Sequence, residues 1–358
     1  MRTPRRPGIP LLAVSLLTVT AFLVSGCASA SPSPPLSGGA TQPATVDLTP
    51  AVPAAPAQLL DGDCSVLATD DAVSALLGTV VSAQTGFVDE PNANAVATAG
   101  GIQCRWTDAA GVTGGNGASL TTVMVGSDAV ETTPDGVECY ETSFDASGDL
   151  ASTCAFSVNS GSVWLSGVAA MAVGADEEDA RAAVAAVGDI IRALPAPRPV
   201  GPGSTAQVWT AVGCADLSAR AGLPEVLGSP GLLVDDADSS GAERPAGDAA
   251  ALAATGSFGC SWYHNGDTPA GELSGFNSAA LPGGGWAQTQ VLALPGATVV
   301  ELAGVDLAVR VPMDEAVTGV AEVLDVFDGA NWLQISGAGE PAALEPAVVA
   351  LVAALNAG

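Results

Sequence analysis

The chain has a single histidine, so any serine-type charge-relay chemistry would have to run through His264. His264 sits in Trp262-Tyr263-His264-Asn265, where a strand enters a loop, and no Gly-x-Ser-x-Gly elbow that would present a nucleophile occurs anywhere. It reads as a loop residue. Asp236-Ala237-Asp238-Ser239-Ser240-Gly241 has the opening of a calcium loop, with ligands at positions 1, 3 and 5 and Gly at 6. Position 12, where a bidentate acid must close the shell, is Gly247, so this is an acidic surface loop. Asp176-Glu177-Glu178-Asp179 is explained by the positive end of a helix starting there. Gly114-Gly115-Asn116-Gly117 and Gly283-Gly284-Gly285 lack the Lys-Ser/Thr of a phosphate loop and read as turns. With 38 acids present, no two are singled out as a hydrolytic pair. The expectation is no catalytic residue, no metal, no cofactor and no enzyme.

The most specific chemistry lies at the start of the chain. Arg2, Arg5 and Arg6 precede an uncharged, mostly apolar run from Ile9 to Val24, which ends in Leu23-Val24-Ser25-Gly26-Cys27. This resembles the lipobox of bacterial lipoproteins. The resemblance implies cleavage after residue 26, lipidation of Cys27, and a protein held on the outer face of the cytoplasmic membrane. Stable anchoring takes two or more acyl chains. Loss of the leader would leave 7 Arg against 38 acids, a net charge of −31 in place of −28. Lys is absent altogether, so neither nucleic acid nor anionic lipid has a basic patch to meet. Abundant Ala, Gly, Val and Asp without Lys also resembles the coding bias of actinobacteria.

Six cysteines remain, an even number with no Cys-x-x-Cys, and export puts them where disulfides persist. An internal repeat narrows their pairing. Cys64 is followed by Leu67, Val73 and Leu77-Gly78, and Cys214 by Leu217, Leu223 and Leu227-Gly228, at the same offsets. Cys104-Arg105-Trp106 and Cys260-Ser261-Trp262 follow, then Gly161-Ser162-Val163-Trp164-Leu165 and Gly329-Ala330-Asn331-Trp332-Leu333. The repeat pairs Cys64 with Cys104 and Cys214 with Cys260. Cys139 and Cys154 occur in the first copy alone and are paired with each other.

These landmarks divide the chain into a leader (1–26), a lipid-anchored Pro/Ser/Ala-rich disordered spacer (27–57), a first repeat (58–195), a Pro-rich linker (196–206) and a second repeat (207–358). Each repeat opens with a helix after its first Cys and closes with an amphipathic one. Val184, Val187, Ile191 and Leu194 recur at helical spacing, as do Leu344, Val348, Leu351, Val352 and Leu355. The first helix starts at Thr69 or Asp70 and stops at Gly78, while Pro224 either breaks its counterpart or begins a new turn there. Strands are expected near 80–87, 102–108, 120–125, 155–159 and 163–168, and near 232–234, 258–263, 288–294, 299–302, 307–311, 323–327 and 332–336. The fold class is α+β: two tandem related domains, each an antiparallel sheet with an N-terminal and a C-terminal helix packed on it. The pattern is similar to an actinobacterial lipoprotein family of unknown function with duplicated Cys…Leu-Gly…Cys-x-Trp domains, which brings no catalytic residues with it.

The repeated Trp106, Trp262, Trp164 and Trp332 read as core, and the unrepeated Trp209 and Trp286 as the better candidates for a binding surface. A tether, stapled domains and no catalytic constellation suit a membrane-anchored envelope module that binds a small ligand or an unknown envelope protein. A carboxylate-based envelope hydrolase and a structural or regulatory partner of a membrane protein are the alternatives.

Overall fold

The computed structural model describes residues 52–84, 87–108, 117–128, 130–143, 150–171, 177–193, 208–236, 245–264, 275–314, 320–337 and 343–358. The leader, most of the spacer, the Pro-rich linker, Asp176, the Gly114-Gly115-Asn116 turn and the 237–241 part of the calcium-like loop lie outside the described residues. The folded part, Pro50–Gly358, is one compact unit. It contains two antiparallel sheets with helices, an α+β architecture.

Local chemistry sets the first helices. The Asp63 carboxylate accepts the N–H of Ser65 and starts α1 (Cys64–Leu67). Thr69 accepts the N–H of Ala72 and starts α2 (Asp70–Leu77), which Gly78 ends at φ 72°. Because Thr69 does the capping, Asp70 is left to accept Trp106 Nε1 at 3.1 Å and tie the helix to the sheet. That sheet runs β1 (Ser82–Ala83), β2 (Ile102–Thr107), β3 (Ser119–Gly126), β6 (Val163–Ala170), β5 (Leu150–Ser160) and β4 (Gly136–Ser143), in that spatial order. Between β1 and β2 lies a short helix, α3 (Ala95–Thr98). Val184, Val187 and Ile191 of α4 (Glu177–Ala193) join Leu67, Leu77 and Trp106 in one apolar core.

The second half opens with α5 (Cys214–Ala221), which stops at Gly222 with φ 59°. Pro224 then sits in the first turn of α6 (Leu223–Val226), where its missing N–H has no intrahelical partner to lose. The sheet order is β10 (Thr298–Val300), β11 (Leu307–Pro312), β12 (Glu322–Asp328), β13 (Asn331–Gly337), β9 (Gly275–Leu281), β8 (Phe258–His264) and β7 (Leu232–Asp236). Between β7 and β8 runs α7 (Ala246–Thr255), and α8 (Gln288–Leu292) follows β9. The closing helix α9 (Glu345–Asn356) buries Val348, Leu351, Val352 and Leu355 in a core with Leu217, Trp262 and Leu333.

Two sequence expectations need correction. The 80–87 strand is reduced to Ser82–Ala83 among the described residues. The 288–294 segment is helix over Gln288–Leu292, with Val291 fully buried and Leu292 40% exposed, a one-sided burial that two-residue alternation does not describe. The strand at this point is β9, whose Gly-Phe-Asn-Ser-Ala-Ala-Leu is poor in β-branched residues; it is held by ladders to β8 and β13 on its two sides. Strand β4, α3 and α7 have no counterpart among the expected elements. Disulfides join Cys64 to Cys104, Cys139 to Cys154 and Cys214 to Cys260. No helix of the described residues is long and apolar enough to cross a membrane.

Candidate functional site

The two halves meet by exchanging the segments that precede their Cys-x-Trp strands. Helix α7 of the second half lies against β3 and β6 of the first, where Ala251 packs with Val123, Val125 and Trp164. The N–H of Gly247 donates to Ser166 Oγ at 2.7 Å. A Cβ on Gly247 would meet that oxygen at 2.7 Å and a Val123 methyl at 3.0 Å, so the backbone approach requires glycine. In return, residues 87–99 of the first half form a strap across the second sheet. Phe87 stacks on Trp332 with centroids 5.9 Å apart, and Ala95 is fully buried in the second half's core beside Trp286 and Trp332. Asn92 Oδ1 accepts Ser257 Oγ at 2.8 Å, and Thr98 Oγ1 accepts Trp286 Nε1 at 3.1 Å. Asn94 stiffens the strap by donating from Nδ2 to Val88 O and Glu90 O.

A cleft of about 430 Å³ opens between this strap, the start of the first half and the α8 region. Gln58, Gln84, Gln103 and Gln290 bring four side-chain amides to it, each able to donate and accept. Phe87 and Trp286 supply aromatic surface, and Asp63 contributes one carboxylate. The two hydrogen bonds from Ser65 hold the Asp63 carboxyl below its ordinary value, so it is an ionised acceptor at neutral pH. The lining contains no Arg, Lys or His. Such a surface matches hydroxyl and amide groups and offers nothing to an anion.

Behind the strap, two carboxyls meet. Asp325, at the centre of β12, is fully buried, and its Oδ1 accepts Trp332 Nε1 at 2.8 Å and Gln334 Nε2 at 3.0 Å. Gln334 Nε2 also donates to the backbone oxygen of Asp89 on the strap at 2.9 Å. Gln334 Nε2, which donates to both residues, sets Asp89 beside Asp325, and each carboxyl acts electrostatically on the other. Burial raises Asp89 to about 6, and burial together with the Asp89 charge pushes Asp325 well above the ordinary carboxylate range. The first half places hydroxyls at the corresponding points: Trp164 Nε1 donates to Ser157 Oγ at 2.7 Å, and Ser166 faces Gly247.

The residues named from sequence are scattered. His264 ends β8, half-buried opposite Leu232, away from the cleft lining. Trp286 lines the cleft but is 5% exposed. Trp209 is no surface residue. It is 4% exposed, its N–H donates to Asn331 Oδ1 and its Nε1 to Asn356 Oδ1. Trp106, Trp164, Trp262 and Trp332 are core. No group of three or more His, Cys, Asp or Glu among the described residues is placed to hold a metal. Asp89 and Asp325 were missed, although an acid in the middle of Val323-Leu324-Asp325-Val326-Phe327 was a visible signal.

No family model matches the chain, and no curated protein matches it. One solved structure to which it is similar is the crystal structure of the di-domain ARO/CYC BexL from the BE-7585A biosynthetic pathway. The match has 9% identity over 77% of this chain and 97% of that one, with a TM-score of 0.15, a likeness too slight to carry an argument.

Proposed function

We propose that this is a lipid-anchored extracytoplasmic binding module that takes a small, uncharged, hydroxyl-rich ligand, such as a neutral saccharide, in the cleft beside the strap. The observation that carries the reading is the lining itself: four glutamine amides, two aromatic side chains, one ionised carboxylate and no cation. Amides and a carboxylate satisfy hydroxyls, while aromatic faces take the C–H surface of a sugar ring. The module works by binding, without turnover. In the hydrolase alternative, two convergent carboxyls must reach a substrate. Asp89 and Asp325 do converge, but their oxygens are sealed beneath the strap, which disfavours that alternative.

The proposal extends to the chain around the cleft. Cys27 carries the lipid on the outer face of the cytoplasmic membrane, and the 27–57 spacer lifts the domains from it. The two α+β halves, 58–195 and 207–358, descend from one duplicated domain, each with its sheet packed by an opening and a closing helix. Isothermal titration with maltotriose as the probe tests the cleft. Binding by the full chain is expected, with at least about a tenfold loss on Gln103→Ala or Phe87→Ala. Equal affinity in wild type and both variants removes the cleft as the site.

A further inference from the structure

Asp89 and Asp325 present an unusual balance of donors and acceptors. Trp332 and Gln334 both donate to Asp325 Oδ1. Asp325 Oδ2 and both carboxylate oxygens of Asp89 are buried with no donor among the described residues. Neighbouring acceptor oxygens without a donor are satisfied when one carboxyl carries a proton and gives it to the other. No cation offsets the pair. On the same sheet face Val309 lies opposite Asp325 on β11, with Val323 and Phe327 beside it on β12. Arg310 belongs to the opposite face and is held by Glu345, and Glu90 on the strap is exposed. Among the described residues, each of the two aspartates is the one ionisable group acting on the other.

The strap that carries Asp89 is also a wall of the cleft, through Phe87, Val88, Ala93, Asn94 and Ala97. We propose that Asp89 and Asp325 form a proton-operated latch, closed while they share a proton and opened by loss of that proton, so that pH sets the position of the cleft wall. The second step rests on the cleft being the ligand site; the latch does not. The chemistry of opening is a simple deprotonation: the shared proton leaves to water, two carboxylates remain side by side in a poorly solvated place, and their repulsion acts on the part of the strap that Asp89 holds. Both groups sit above the usual carboxylate range, Asp89 at about 6, which puts opening on the alkaline side of that value.

The full chain, wild type and Asp325→Asn, is followed by hydrogen exchange of peptides covering residues 87–99 from pH 5 to pH 8, corrected for intrinsic exchange. The asparagine keeps an oxygen for Trp332 and Gln334 and offers Nδ2–H to Asp89, so it copies the protonated state. Protection of the strap in wild type is expected to fall about tenfold or more across that range, as a titration of one unit or more demands, and to stay flat in the variant. Should Asp325→Asn not fold, Asp89→Asn makes the same substitution from the strap side. A strap whose protection is independent of pH in wild type, or equally pH-dependent in wild type and variant, overturns the latch. Maltotriose titrations on the same samples separate the two readings. Protection that falls while maltotriose affinity stays constant overturns control of the cleft wall. Failure of maltotriose to bind at any pH tells against the cleft, while the exchange data still decide the latch.

Discussion

Asp325 and Ser157 occupy equivalent points in the two sheets, each seven residues before a buried tryptophan that donates its Nε1–H to it. Burial and the Asp89 charge hold a proton on Asp325, so below about pH 6 its acceptor is neutral like the Ser157 hydroxyl. A hydrogen bond to a neutral group contributes about 1 kcal/mol and one to a charged group about 1.5–3. Trp332→Phe and Trp164→Phe are therefore each expected to lower stability by about 1 kcal/mol, read by urea unfolding at pH 5. A clearly larger loss in Trp332→Phe would mean that Asp325 is ionised at that pH. The same carboxyl pair has a linkage signature. Asp89 and Asp325 hold protons in the folded chain that the unfolded chain has released, so their contribution is greatest below the ordinary value of 3.8. It is lost as pH rises, through about 6 for Asp89 and higher for Asp325. The urea midpoint of wild type is expected to fall from pH 5 to pH 8, with a smaller fall in Asp325→Asn. Asp63 and Asp135 have depressed values, so their contributions run the other way and are lost on acidification through the folded value.

At the scale of elements, the exchanged segments join the halves. Gly247→Ala puts a methyl into Ser166 and Val123, and overpacking of this kind costs about 1–3 kcal/mol. Its expected mark is a lower unfolding midpoint with faster exchange in both α7 and strand β6. Faster exchange in α7 alone would show that the strap holds the halves together without it. The disulfides differ in what they span. Cys139–Cys154 closes 15 residues between neighbouring strands, whereas Cys214–Cys260 closes 46 and ties α5 to β8. Chain entropy gives about 3 kcal/mol for the first and about 4 for the second, so paired serine substitutions should cost more at Cys214 and Cys260. The opening and closing helices were legible because capping and periodicity are local properties, as at Thr69, Gly78 and Val184 through Ile191. Strand β9 was not, because its two neighbours select it rather than its own side chains. Helix α7 was not, because Ala-rich residues 246–255 have a weak apolar face until the other sheet covers them.

For the molecule as a whole, charge bears on the proposed anchor. At a net charge of −28 and without lysine the chain is repelled by anionic lipid, so the proposed anchoring depends on acylation. Wild type extracted from cells is expected to sediment with phosphatidylglycerol vesicles, and Cys27→Ala to remain in the supernatant and take up no labelled palmitate. Vesicle binding by Cys27→Ala would place the attachment elsewhere in the chain. Composition, cysteine parity and the order of the repeated landmarks were enough for the α+β class and for disulfide bonding, because these follow from counts and from spacing along the chain. The meeting of Asp89 with Asp325, the strap across the second sheet and the cleft beside it came from tertiary structure alone. The hydrogen bond from Gln334 to Asp89 spans 245 residues. A carboxyl in a strand looks like any acid in sequence, and its proton affinity is set by what buries it and by the charge the fold brings against it.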